Sequence, residues 1–77
     1  MINSYDENYK KAFAERLKQS VANKGVTRKS ICEQIYFSEK AMWELCKGKR
    51  KPRVSTVKLL AEALDVDYDW LMWGIDE

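Results

Sequence analysis

Apolar residues recur along this chain at three- and four-residue intervals, the period of helices packed on a core. Tyr9, Phe13, Leu17 and Val21 lie four apart, with Ala12 and Ala14 alongside, and Gly25 follows where a helix would stop. Ser4 and Glu7 have the spacing of a capping box, which predicts a first helix from near Tyr5 to Asn23 or Lys24. Thr27 is a good N-cap for a short second helix over 28–35, with Ile31 and Ile35 facing inward and Cys32 beside them. Ser38 caps a third helix over 39–47. A fourth carries Val54, Val57, Leu60, Ala61 and Leu64 on one face. Asp67 caps a fifth segment, from Tyr68 to Trp73, that Gly74 ends. There is no alternating strand pattern, no internal repeat and no low-complexity stretch. The expected fold is all-α: five helices in one domain over 1–77, with a core spanning about 5–74.

The third helix organises the rest. Ala41, Met42, Leu45 and Cys46 share one side of it, while Glu39, Lys40, Trp43, Glu44 and Lys47 share the other. A helix this short does not hold itself together in water, so a core must hold its apolar side and leave the polar side on show. The fifth segment poses the opposite problem, being apolar nearly all round. A six-residue helix cannot hide every side on its own subunit. The surplus points to a second copy of the chain, with Tyr68, Met72, Trp73 and Ile75 as the expected dimer contact.

Charge sharpens this picture. The net charge is only +2, yet residues 24–53 carry nine Lys or Arg against three acids, and residues 54–77 carry one against six. The middle third is a cationic surface and the last third an anionic one, and it is the distribution that a polyanion feels. Five of the seven residues over 47–53 are basic, and they directly follow the exposed helix. Arg28 and Lys29 fall in the first turn of the second helix, where the helix dipole disfavours cations. A phosphate held at that N-terminus is the preferred account of them, with a solvated pair of side chains as the alternative.

Other classes find little support. There is no His, and two cysteines with nothing beside them cannot build a metal site, so no cofactor is expected. Cys32 and Cys46 read as small buried hydrophobes of a reducing cytosol. No apolar run is long enough to span a bilayer, and the polar, acidic start gives no sign of a signal peptide. With no phosphate-cradling Gly-rich loop either, an enzyme is not expected and no small-molecule ligand is evident.

Read together, several stretches over 13–74 resemble the helix-turn-helix domains of the Cro and lambda-repressor-like (XRE-type) family. They are ERLK (15–18), KGVT (24–27), inward Ile31 and Ile35, the cap Ser38 and inward Met42 and Leu45. The KGKRKP loop (47–52) and the run LLAEALDVDYDWLMWG (59–74), with its closing Trp-Leu-x-x-Gly, complete the set. Each is weak alone; their order and spacing are specific. The resemblance implies a helix-turn-helix over about 27–47 whose third helix reads DNA. Ser38, Glu39, Lys40, Trp43 and Glu44 would then face base edges, and Arg28, Lys47, Lys49 and Lys51 would contact phosphates. It implies a prophage-repressor-like regulator, bacterial or phage-encoded and cytoplasmic, binding a palindromic operator in double-stranded DNA as a homodimer. The chain would be either a whole small regulator or the N-terminal domain of a longer repressor.

Five positions depart from the family pattern. Tyr36 stands where the turn usually has Gly, so either a left-handed tyrosine is kept or the turn is reshaped. Cys32 replaces an Ala. Val21 and Cys46 replace an Arg–Glu pair, exchanging an ionic tie for apolar contact. Arg53 stands where the fourth helix usually has a small polar cap. On the reading face, Glu39 and Glu44 can accept from cytosine N4, Lys40 can donate to guanine, and Trp43 offers a flat face to a thymine methyl. Alternatively the acids pair with Lys40 and Lys47 and Trp43 folds onto its neighbours. That would suit a protein-interaction module of the same fold, of antitoxin or anti-repressor type.

Overall fold

The computed structural model of the chain describes residues 4–75, with side chains from residue 7 onward. It contains five α-helices: α1 Ser4–Lys24, α2 Arg28–Ile35, α3 Glu39–Cys46, α4 Val54–Leu64 and α5 Tyr68–Trp73. Their number and order are those the periodicity predicts. The expected capping box rests on Ser4, whose side chain lies outside those described. The other three polar caps form: Thr27, Ser38 and Asp67 accept from the amides of Ser30, Ala41 and Trp70 at 3.0, 3.1 and 3.0 Å. Each satisfies a first-turn donor that the helix itself leaves unpaired. α3 ends one residue sooner than expected, with Lys47 as its C-cap.

All five helices share one core. Phe13 and Leu17 of α1, Ile31 of α2, Met42 and Leu45 of α3, Val57 and Leu60 of α4 and Leu71 of α5 are each under 2% exposed. α1 packs on α3, α4 and α5, α2 packs on α3 and α4, and α4 packs on α5. α3 is therefore held from two sides. Val21 and Cys46, at 7% and 2% exposed, lie in that core as the apolar replacement for an ion pair requires. Among the described residues no helix is long and apolar enough to cross a membrane.

Three expectations about faces need correction. Ala12 is exposed, and Val54, placed inward by the pattern, is 49% exposed because it opens α4 at the rim of the core. Met72, expected at a dimer contact, is 3% exposed. It lies under α1, where the Tyr9 hydroxyl donates to its sulfur at 3.3 Å, so it is withdrawn from any outer surface. Tyr68 and Trp70 are half-buried against the core as well. The apolar surplus of this end is thereby reduced to Trp73 and Ile75, at 52% and 56% exposed.

The α1–α5 junction is fixed by a side chain that periodicity does not single out. Arg16 donates from Nε to the Leu71 carbonyl at 2.9 Å and from Nη2 to the Met72 carbonyl at 3.0 Å. These are carbonyls at the end of α5, the cation-favouring pole of the helix. Burial lowers the guanidinium pKa from its ordinary value, but an arginine stays charged. Gly74 makes room for it: an added Cβ would sit 3.0 Å from Arg16 Nη1, and its φ of 76° is one a side chain resists. Replacing Arg16 by Ala is expected to lower unfolding free energy by about 2 kcal/mol in urea, as two charge-assisted hydrogen bonds leave carbonyls unpaired.

The turn between α2 and α3 keeps its left-handed residue. Tyr36 has φ 56° and ψ 48°, and it is 97% exposed, so no packing of its ring offsets the strain. Its amide and that of Phe37 both bond to the Cys32 carbonyl, which closes α2. Tyr36→Gly should raise stability by roughly 0.5–1 kcal/mol in the same urea experiment, the relief of strain outweighing the extra freedom of the unfolded chain. Burial also pushes the Cys32 and Cys46 thiols above the usual cysteine value of 9.0. A raised thiol pKa contributes stability that is complete below the unfolded value and lost as pH rises past it. Stability should therefore fall as pH rises past 9.0, and fall less in Cys46→Ala.

Candidate nucleic-acid interface

With its inner side buried, α3 presents Glu39, Lys40, Trp43 and Lys47 to solvent and Glu44 at the margin. Glu39 lies in the first turn, where an acid suits the dipole, so its position has a purely local explanation too. Ser38 is exposed, with its oxygen committed to the cap. The start of α2 comes close: Arg28 and Lys29 join Glu39, Met42 and Trp43 around a shallow cleft of about 180 Å³. No acidic residue shares that first turn of α2, so within the turn nothing offsets the two cations at a positive helix end; the acid that lines the cleft with them is Glu39 of α3. The expected phosphate contact and the expected reading face thus meet at one edge.

The basic loop is tied to α3 by contacts that were not expected. Arg50 donates from Nε and Nη2 to Glu44 Oε1, at 3.1 and 2.9 Å. The neighbour of this acid is therefore neither Lys40 nor Lys47. Lys49 adds a backbone hydrogen bond, its amide to the Glu44 carbonyl at 2.9 Å. Gly48 bends the chain with φ 73° and lies buried against α1, where a Cβ would touch Lys11 Cγ at 3.4 Å. Lys47 and Lys49 then hold their ammonium groups 5.9 and 5.0 Å from the Trp43 ring centre. Trp43, 46% exposed, thus has two neighbouring lysines over its ring, as the alternative in which it folds onto its neighbours expects.

Beneath this surface lies Cys46. Burial raises its thiol pKa, and the positive charges of Arg28, Lys18 and Lys47 oppose that rise. The cations of α2, α3 and α1 therefore act on one spot. Lys51 stands apart, beside Pro52 and Trp73 on a different groove. Of the residues expected at a self-contact, Trp73 is stacked on Tyr9 with ring centres 5.7 Å apart, and Ile75 is free of the core.

Arg50 is the residue that sequence reasoning missed. Its spacing from Glu44 crosses a helix end, so neither the three- nor the four-residue rule selects it. An exposed pair of this kind adds at most about 1 kcal/mol to stability. Its larger effect is on order: in Glu44→Gln, amide relaxation of residues 48–51 and of Arg53 should report faster motion while the urea midpoint moves little.

A model of the family described as a helix-turn-helix domain matches residues 12–70, from the first turns of the α1 core stripe to the middle of α5. No curated protein and no solved structure matches the chain. The matched span includes α2, the Tyr36 turn and α3, together with the helices that hold them, and it covers well over half of the chain. The five-helix architecture, the capped α2–turn–α3 unit and this match agree: the chain belongs to the helix-turn-helix domain family.

Proposed function

We propose that this protein is a sequence-specific DNA-binding transcriptional regulator. It acts as a phage- or prophage-type repressor in the cytoplasm and binds a palindromic operator as a dimer. The observation that carries this reading is a set of exposed cations flanking the outward face of a short buried-backed helix, none of them in an ion pair among the described residues. Arg28 stands at the start of α2, Lys47 at the end of α3 and Lys49 in the loop, all exposed. That arrangement suits a helix lying in a major groove with phosphates on both flanks. Ser38, Glu39, Lys40 and Trp43 are then the base-reading set. Glu44 takes a different part: engaged by Arg50, it sets the loop that carries Lys49, and reads a base only if Arg50 lets go. Lys51 contacts a phosphate further along. Tyr68, Trp73 and Ile75 supply part of the dimer contact, Trp73 and Ile75 giving most of the exposed area.

A second reading, a protein-interaction module with only non-specific DNA affinity, is favoured by Trp43, whose exposed ring and acidic neighbours also suit a protein surface. Salt and sequence dependence separate the two. If Arg28, Lys47, Lys49 and Lys51 each neutralise one phosphate, a dimer releases about eight counterions, and log K should fall with log salt at a slope of roughly −7. Lys49→Ala should weaken all sequences alike, with a shallower slope, whereas Lys40→Ala should relax selectivity at one base position. Equal losses on specific and random DNA for Lys40→Ala would remove Lys40 from the reading set.

A further inference from the structure

A groove of about 470 Å³ lies between α1, α5 and the turn that leads into α4. Its floor is Tyr9 stacked on Trp73, with Met72 behind them, and its wall is Pro52 and Val54. Val54 and Trp73 are two of the few large apolar side chains left half-exposed in the fold. Its rim is Lys51 and Arg53. Among the described residues no acid borders it and neither cation has an acidic partner. α4 starts here with Arg53 in the capping position and no side chain capping its first-turn amides, unlike α2, α3 and α5. An apolar aromatic floor of ligand size, two cations and an uncapped helix start converge on one chemistry.

We propose that this groove binds a small organic anion with an aromatic or otherwise apolar body, its carboxylate or sulfonate against Lys51, Arg53 and the start of α4. A cation is repelled by both rim residues, and a neutral apolar body leaves them unused. The bound anion takes Lys51 from the phosphate proposed for it, so occupancy lowers DNA affinity. That consequence rests on the DNA-binding reading; the occupancy itself does not. Trp73 also belongs to the proposed self-contact, which makes a second copy the competing occupant.

The probe is 1-naphthaleneacetate, titrated into the isotope-labelled chain without DNA and followed by amide and indole chemical shifts. Shifts are expected to concentrate on Trp73, Arg53 and Val54. The neutral 1-naphthaleneacetamide should bind at least fivefold more weakly, as should naphthaleneacetate to the Lys51→Ala/Arg53→Ala variant. Val54→Trp, which fills the groove, should abolish the shifts while its spectrum remains that of a folded chain. Equal binding of acid and amide, shifts scattered over the surface, or binding that weakens as protein concentration rises would each overturn the proposal; the last would give the groove to a second copy. With DNA, saturating naphthaleneacetate should weaken binding at least threefold for the natural chain and not for Val54→Trp. An unchanged DNA affinity with the groove filled would overturn the coupling. A chain that binds no DNA before the probe is added overturns the DNA reading instead, leaving the groove result to stand by itself.

Discussion

An eight-residue helix exposed on one side has no stability of its own, and the burial of Ala41, Met42, Leu45 and Cys46 supplies what it lacks. Every other element serves that burial. α1 and α2 close on α3 from two sides, α4 backs α2, and α5 locks onto α1 and α4. Because four residues in eight face inward, the outward four are released from any packing duty. They are free to be chosen for recognition, and they carry charge and one indole.

Polar ties set how accurately that helix is aimed. Ser38 fixes its start, and Gly48, pressed on Lys11, fixes how the chain leaves it. The Glu44–Arg50 pair then folds the basic loop back along the helix, next to Trp43 and its two lysines. At the far end, Arg16 bonds to carbonyls more than fifty residues away and closes α5 on α1. At Tyr36 local preference is overruled; Asp65, the other left-handed non-glycine among the described residues, is of a type that tolerates that backbone. The left-handed backbone of Tyr36 is imposed by helices on either side that are both anchored in the core, and the exposed ring gains nothing in return.

Much of this was legible in the sequence, for identifiable reasons. Helix number, order and the inner face of α3 follow from periodicity and caps, which are local signals. The cationic middle and the outward set of α3 were legible for the same reason. Two of the errors lay at helix ends, where periodicity cannot tell a core position from a rim position, and the third, Ala12, lay at the edge of the α1 stripe. Val54 proved to be rim and Met72 proved to be core. The ties made by Arg16 and Arg50 were not legible, because one acts across the whole chain on backbone carbonyls and the other spans a helix terminus. A left-handed Tyr36 was one of two outcomes open at that turn; the geometry of the flanking helices selects it.

The central claim is that the outward face of α3, framed by cations, reads a DNA sequence. Selection of bound DNA from a randomised pool, carried out at two salt concentrations, tests it most directly. The account predicts recovery of a two-fold symmetric motif, with half-sites about one helical turn apart and affinity that falls steeply as salt rises. No enrichment, with weak binding that vanishes by physiological salt, would contradict it and leave the cationic loop a non-specific patch beside a protein-binding surface.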